Sequence, residues 1–266
     1  MRKSSISIFG ILALLFSVLT PLNPASAADV TKTITIQKAD GSAYPNVLVS
    51  LLSWNQNLQV DEFTTPALTN SLGVATIVVS AQADIYGIAA EPQAGDVSHA
   101  PNIQYGGLEM GQSDGITLKL AAANMVVTPK RANGSDAGLQ TWIRYPSSQG
   151  PISQEQYVPL LRTGNVGLDI QTAASSIGCY GMAIWSGDRT SGDFERRYGL
   201  KISQSAVPSL YSDIECTTAL TSTPVGSLPG YTLQMSSANL QGSVLSSTGA
   251  ALSLANGLRG TVDFFK

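Results

Sequence analysis

The chain has 266 residues, 15 basic and 18 acidic side chains and a net charge of −3. A charge-poor, mildly acidic chain has no electrostatic footprint for nucleic acid or an anionic membrane surface. Its single histidine excludes the paired-histidine zinc motifs.

Residues 1–27 read as a signal peptide. Arg2 and Lys3 form a charged start, Ile6 to Leu19 an apolar run, and Ala25-Ser26-Ala27 a small-residue cleavage site. The run is shorter than the roughly 20 residues a helix needs to span a bilayer. Secretion or display at the cell surface is therefore expected. No cysteine follows the cleavage site to carry a lipid, and no later stretch is apolar enough to cross a membrane.

From residue 28 onward the chain reads as short strands and turns. Thr33 to Gln37 alternates with β-branched residues, Asp40-Gly41 turns, and Val47 to Leu51 returns. Asn70-Ser71-Leu72-Gly73 turns again into Val74 to Val79. Tyr86 to Ala90 follows, and Ile116 to Leu120 closes the module. The same grammar recurs in Val126-Val127-Thr128, Asn133-Gly134, Leu139 to Tyr145, Val166 to Ile170 and Tyr180 to Ile184.

The junction stretches carry the repeat most clearly. Gly115 and Gly230 each open an alternating strand, three small residues and an Asn follow (Asn124, Asn239), and a second Gly closes each stretch at Gly134 and Gly249. This predicts an all-β chain of tandem antiparallel β-sandwich modules. Module one covers residues 28–121, module two 122–236, and residues 237–266 start an incomplete third module. Module two takes 49 residues from Gly181 to Gly230, where module one takes 28 from Gly87 to Gly115. About 21 residues are thus inserted somewhere between Gly181 and Gly230.

The stretches ITIQKADGSAYPNVLVSLL (34–52), TNSLGVATIVV (69–79) and YGIAAEP (86–92) carry a family resemblance. VVTPKRANGSDAGLQTWI and YGMAIWS form a second set. Together they resemble the carboxypeptidase-regulatory-like and collagen-adhesin B-type modules, prealbumin-like (Ig-like) sandwiches found in tandem on exported bacterial proteins. The resemblance implies a possible Lys–Asn isopeptide bond promoted by a Glu, with Lys38, Asn124 and Glu91 at the matching places. Glu91 stands one residue late after Tyr86, and a one-residue slip turns a side chain to the other face. Asn124 falls in the linker, so a solvated Lys38 beside a turn is expected instead.

Catalytic constellations are not evident. His99 sits in a polar loop, read as exposed, with no Gly-x-Ser-x-Gly elbow elsewhere, and no phosphate-binding loop is present. Carboxylates such as Asp61, Glu62 and Glu195 fall in expected loops without a cleft-forming scaffold. The chain is expected not to be an enzyme and to use no cofactor or metal. The turns Ser186-Gly187-Asp188 and Ser191-Gly192-Asp193 offer carboxylates for calcium, but their spacing matches no calcium loop, and plain turns need the same residues.

Cys179 and Cys216 are the only cysteines, and an even count in an exported chain predicts a disulfide. Trp142 reads as core. Trp185 stands at the edge of the insertion and could stack on a sugar. The insertion gathers Trp185, Arg189, Arg196, Arg197 and Tyr198, residue types that dominate interfaces, and these are the candidate partner-binding residues. The expected role is a non-catalytic spacer or adhesion stalk. One alternative is a module that binds a cell-wall or extracellular glycan or a protein through the insertion. Another is the accessory N-terminal part of a longer exported hydrolase.

Overall fold

The computed structural model describes residues 29–55, 60–79, 85–105, 115–148, 155–171, 178–188, 191–202 and 207–237. The expected signal peptide, residues 1–27, and almost all of the expected third copy lie outside the described residues. The first sandwich is built from β1 (Val30–Lys38), β2 (Leu48–Asn55), β3 (Val60–Phe63), β4 (Ala67–Leu68), β5 (Val74–Val79), β6 (Ile85–Glu91), β7 (Asn102–Tyr105) and β8 (Ile116–Leu120). In the second, β9 (Met125–Lys130), β10 (Thr141–Pro146), β11 (Glu155–Leu160) and β12 (Val166–Leu168) are followed by β13 (Gly178–Ser186) and β14 (Asp193–Phe194). It continues through β15 (Arg196–Ile202), β16 (Ser209–Tyr211), β17 (Thr223–Val225), β18 (Leu228–Gln234) and β19 (Ser236–Ser237). Every regular element among the described residues is a strand.

One topology is used twice. The smaller sheet runs β5-β1-β8 in the first sandwich and β12-β9-β18 in the second. The larger runs β3-β2-β6-β7 in the first and β11-β10-β13-β15 in the second. In both, the closing strand lies parallel to the opening strand, pairing Ile34 with Ile116 and Val126 with Gly230. The other ladders are antiparallel. Turn chemistry repeats as well: Gly41 and Gly134 take φ of 86° and 87°, the left-handed region that glycine enters without a Cβ clash.

The described residues of the insertion extend the existing sheets. They add β16 to the outer edge of the larger sheet, against β15, and β17 to the edge of the smaller, against β18. A three-residue strand carrying Pro224 suits the β17 edge, where a missing N–H leaves no ladder bond unmade. Asp193 and Phe194 form β14, which pairs with β19 just beyond the closing strand.

Alternation along β2 and β6 turns Val49, Leu51, Ile88 and Ala90 into the first core, with Ile34, Ile36, Ile77, Leu118 and Leu120. Leu52, Ala89 and Ile103 face the opposite way, where a free-standing sandwich would meet water. Here they are buried, and they belong to one apolar cluster with Trp142, Val158, Leu160, Leu161 and the rest of the second core. The two sandwiches therefore share an apolar seam. Burying Leu52 and Ile103 contributes about 1.5–3 kcal/mol each.

Candidate functional site

Polar and aromatic side chains of both sandwiches meet along the seam. Glu91 ends β6 on the same face as Ala89, so the strand's alternation aims its carboxylate away from the first core and into the seam. It is completely buried. Its Oε2 accepts the Leu161 amide at 2.5 Å, and its Oε1 lies 3.4 Å from Arg162 Nε. Burial pushes the Glu91 carboxyl up to about 7, against the opposing pull of the Arg162 charge and the Leu161 and Arg162 amides. Arg162 reaches back across the seam, donating from Nε to the Pro92 carbonyl at 2.8 Å and from a terminal nitrogen to the Asn165 carbonyl at 3.1 Å.

Desolvating two charges costs several kcal/mol per ion. Apolar burial, not this pair, accordingly supplies the seam's net stabilisation. The pair ties the end of β6 to the segment after β11, joining the two sandwiches at one point of the seam. Further polar contacts line the same boundary. Gln156 Nε2 donates to Asn102 Oδ1 at 2.7 Å, Tyr105 donates its hydroxyl to the Tyr157 carbonyl at 3.0 Å, and Ala123 N donates to the Ser98 carbonyl at 2.8 Å. A Cβ on Gly167 of β12 would run into the Val97 carbonyl and come within 2.8 Å of Ala123 Cβ. Only glycine lets the 96–100 loop approach this closely.

That loop corrects one expectation. His99 is not an exposed loop residue; it is partly covered and stacked against Tyr44, ring centroids 4.7 Å apart. The Tyr44 hydroxyl donates to the Asp96 carboxylate and lies 3.1 Å from His99 Nδ1, and Ser98 bonds Asp96 at 2.6 Å. Burial and the bond to Asp96 raise the Tyr44 pKa, which keeps the hydroxyl a donor. Burial tends to raise the Asp96 pKa, but bonds from Ser98 and Tyr44 outweigh it and hold the carboxylate below its ordinary value. Ser98 and Asp96 both address the same ring nitrogen of His99, so the three do not form a nucleophilic relay.

Lys38, Glu91 and Asn124 have three different sets of partners. Lys38 stands over the Tyr44 ring at 5.4 Å. Asn124 grips the backbone of Ile170 twice, donating from Nδ2 to its carbonyl at 2.7 Å and accepting its amide at 2.8 Å. The junction asparagine thus works as an extra ladder rung where the second sandwich begins.

Cys179 and Cys216 are bonded, with Cα atoms 5.9 Å apart, tying β13 to the segment after β16. The candidate partner-binding residues separate into different environments. Tyr198 is buried, donating its hydroxyl to the Gln234 carbonyl and accepting the Gln234 amide, both at 2.8 Å. It is a core residue and is withdrawn as a surface contact. Arg196 lies 5.0 Å over the Tyr198 ring, and Arg197 is exposed and paired with Glu195. Arg189 lies outside the described residues. Asp193, considered for calcium, is turned inward: it accepts the Ala132 amide at 2.8 Å and lies 3.5 Å from Arg131. It caps the first turn of the second sandwich.

Trp185 sits directly opposite Trp142 in the β10–β13 ladder, the rings nearly parallel with centroids 6.3 Å apart. Trp142 is buried as expected, though on the sheet's outer face, where Phe63 of the first sandwich covers it at 6.0 Å. Tyr157 meets Trp185 edge-on at 6.0 Å, and Tyr86 stacks on Tyr105 at 6.1 Å. The tyrosines were not singled out in the sequence. Alternation leaves Tyr105 and Tyr157 facing outward, whereas Tyr86 shares the parity of the core residues Ile88 and Ala90 and is turned to the seam by the register shift between β2 and β6.

No protein-family model matches the chain, and no curated protein matches it. Among solved structures, it is similar to a C-terminal fragment of the pilus adhesin SpaC from Lactobacillus rhamnosus GG, at 9% identity and TM-score 0.29, covering 81% of this chain and 100% of that one. It is similar to the Bacillus anthracis TIE protein at 10% identity and TM-score 0.27, covering 79% of this chain and 34% of that one. A Streptococcal ancillary pilin gives 9% identity and TM-score 0.24, with 80% and 63% covered. The chain thus spans about a third of the length of the TIE protein. At these values the likenesses say nothing about what this chain binds.

Proposed function

We propose that the chain is a non-catalytic exported protein, displayed at the cell surface or secreted, whose two sandwiches act as one stiff spacer or adhesion stalk. The observation that carries this reading is the seam. A pair of independent binding domains joined by a linker would keep the outer face of each sheet polar. Here Leu52, Ala89 and Ile103 are committed to the neighbouring sandwich, and Glu91 is buried against Arg162. Large, apolar boundaries of this kind suppress the domain motions otherwise expected between modules. The N-terminal signal and the Cys179–Cys216 bond fit an exported, oxidised setting.

The test pairs location with stiffness. Protease shaving of intact producing cells should release peptides of this chain. Small-angle scattering of the purified protein should fit a single rigid two-lobed particle, and Glu91→Ala should broaden the distribution of distances within the particle. An intracellular chain, or a wild-type profile that needs a flexible ensemble, would remove the stalk reading.

A further inference from the structure

We propose that the aromatic row Trp185, Tyr157, Tyr105 and Tyr86 is a binding track for an uncharged polysaccharide. This goes beyond the stalk reading and holds whether or not the sandwiches act as a spacer. The four rings are linked in order along the seam. Trp185 meets Tyr157 at 6.0 Å, Tyr105 is pinned by its hydroxyl to the Tyr157 backbone at 3.0 Å, and Tyr86 lies 6.1 Å from Tyr105 and almost parallel to it.

Each ring is held by a neighbour, Tyr157 by Trp185 and Arg144 and Tyr105 by its bond to the Tyr157 backbone. Trp185 rests on the buried Trp142, and both Trp185 and Tyr86 pack against the second core. Yet Tyr157 and Tyr105 leave 41% and 49% of their surface in water. Rings fixed by packing and still exposed lose little side-chain freedom when something lies down on them, so the ordering cost of binding is small.

The neighbouring charges select the occupant. Arg144 stands opposite Tyr157 in the β10–β11 ladder, its guanidinium 6.0 Å from the ring, and pairs with Glu155 at 3.2 Å. The edge of the track therefore presents a donor and an acceptor but no net charge. A polyanion would need uncompensated cations, and none flanks the row among the groups named. A pyranose ring has an apolar face of C–H bonds for stacking and a rim of hydroxyls that both donate and accept. That chemistry matches the exposed aromatic surface of Tyr105 and Tyr157, bordered by an Arg–Glu pair. The track also draws on both sandwiches, Tyr86 and Tyr105 from the first and Tyr157 and Trp185 from the second, so it exists only in the docked arrangement.

Affinity gel electrophoresis of the whole protein tests the proposal, with laminarin, mannan, xyloglucan and soluble starch as neutral probes and polygalacturonate as the anionic one. At least one neutral polysaccharide should retard the protein and shift the tryptophan emission. Trp185→Ala and Tyr157→Ala should each weaken that retardation about tenfold, the loss expected for an aromatic anchor. Tyr157 lies outside both cores and keeps 41% of its surface in water, so its variant separates lost binding from lost folding, and near-UV circular dichroism confirms the fold of both. Retardation by none of the neutral probes would overturn the proposal. So would retardation by polygalacturonate alone, or neutral binding undiminished in both variants. Capture of a peptide ligand at the same rings without any polysaccharide would overturn it as well.

Discussion

Replacing Glu91 by Gln isolates the electrostatics of the seam. The folded protein holds the Glu91 proton more tightly than the unfolded chain does, since burial raises its pKa from an ordinary 4.5 to about 7. Between these two values folding takes up a proton, so stability falls as pH rises. The decline begins near the unfolded value and is complete above the folded one. At about 1.4 kcal/mol per pH unit, it amounts to about 3 kcal/mol. No discount for solvent screening applies, because the carboxylate has no exposed surface. Gln has nearly the same shape and cannot ionise. Urea unfolding followed by tryptophan fluorescence, at intervals from pH 4.5 to 8, should show the wild type losing about 3 kcal/mol relative to Glu91→Gln across that range. For a protein of this size that is a relative shift of roughly 6–12 °C in Tm. Asp40, Asp96 and Asp213 are held below their ordinary value, so their contribution is lost only as pH falls below about 4. They are common to both proteins and cancel in the difference. Parallel stability curves for the two proteins would refute the reasoning, as would a Glu91 carboxyl that titrates near 4.5 in the folded state by NMR.

Replacing both Cys179 and Cys216 by Ala should cost about 4 kcal/mol on the chain-entropy account, given their separation of 37 residues. Hydrogen exchange should accelerate first in β16, the edge strand next to the bridge. Gly167→Ala should destabilise by about 1–3 kcal/mol, the usual cost of overpacking, because its methyl group meets the Val97 carbonyl and Ala123. The loss would read out as a lowered urea midpoint together with a larger radius of gyration, and an unchanged midpoint would show that the 96–100 loop yields freely.

Much of each sandwich was legible because its strands alternate and its turns carry glycine. Val74 to Val79 and Ile116 to Leu120 form the strands expected of them. Leu139 to Tyr145 starts late, at Thr141, because Gln140 takes a φ of 69° and still belongs to the turn. Glu155–Leu160 was not anticipated: EQYVPL holds a Pro and a charge, and it reads as a strand only beside Thr141–Pro146, whose residues it pairs one for one. The insertion misled for the same reason. Its strands are two or three residues long, too short to show a period, and the partners of β16 and β17, β15 and β18, are supplied by the existing sheets.

The seam is where a one-dimensional reading had the least purchase, and the physical cause can be traced in β2. Leu48, Leu52 and Ser50 share one face while Val49 and Leu51 share the other, so the segment reads as a nearly continuous apolar run. Such a run belongs to a strand covered on both sides. Read as one face of a solitary sandwich, it leaves Leu52 without a reason. Glu91 follows the same logic. Its position one residue late was evidence against a bond to Lys38, and the slip does turn the carboxylate to the other face. What lay on that face was not water but Leu161 and Arg162, some 70 residues further along the chain. Sequence periodicity reports whether a side chain points in or out of its own sheet, while the identity of the neighbour depends on how two sheets dock. An apolar residue and a lone carboxylate on an outward face together are the signature of a second body.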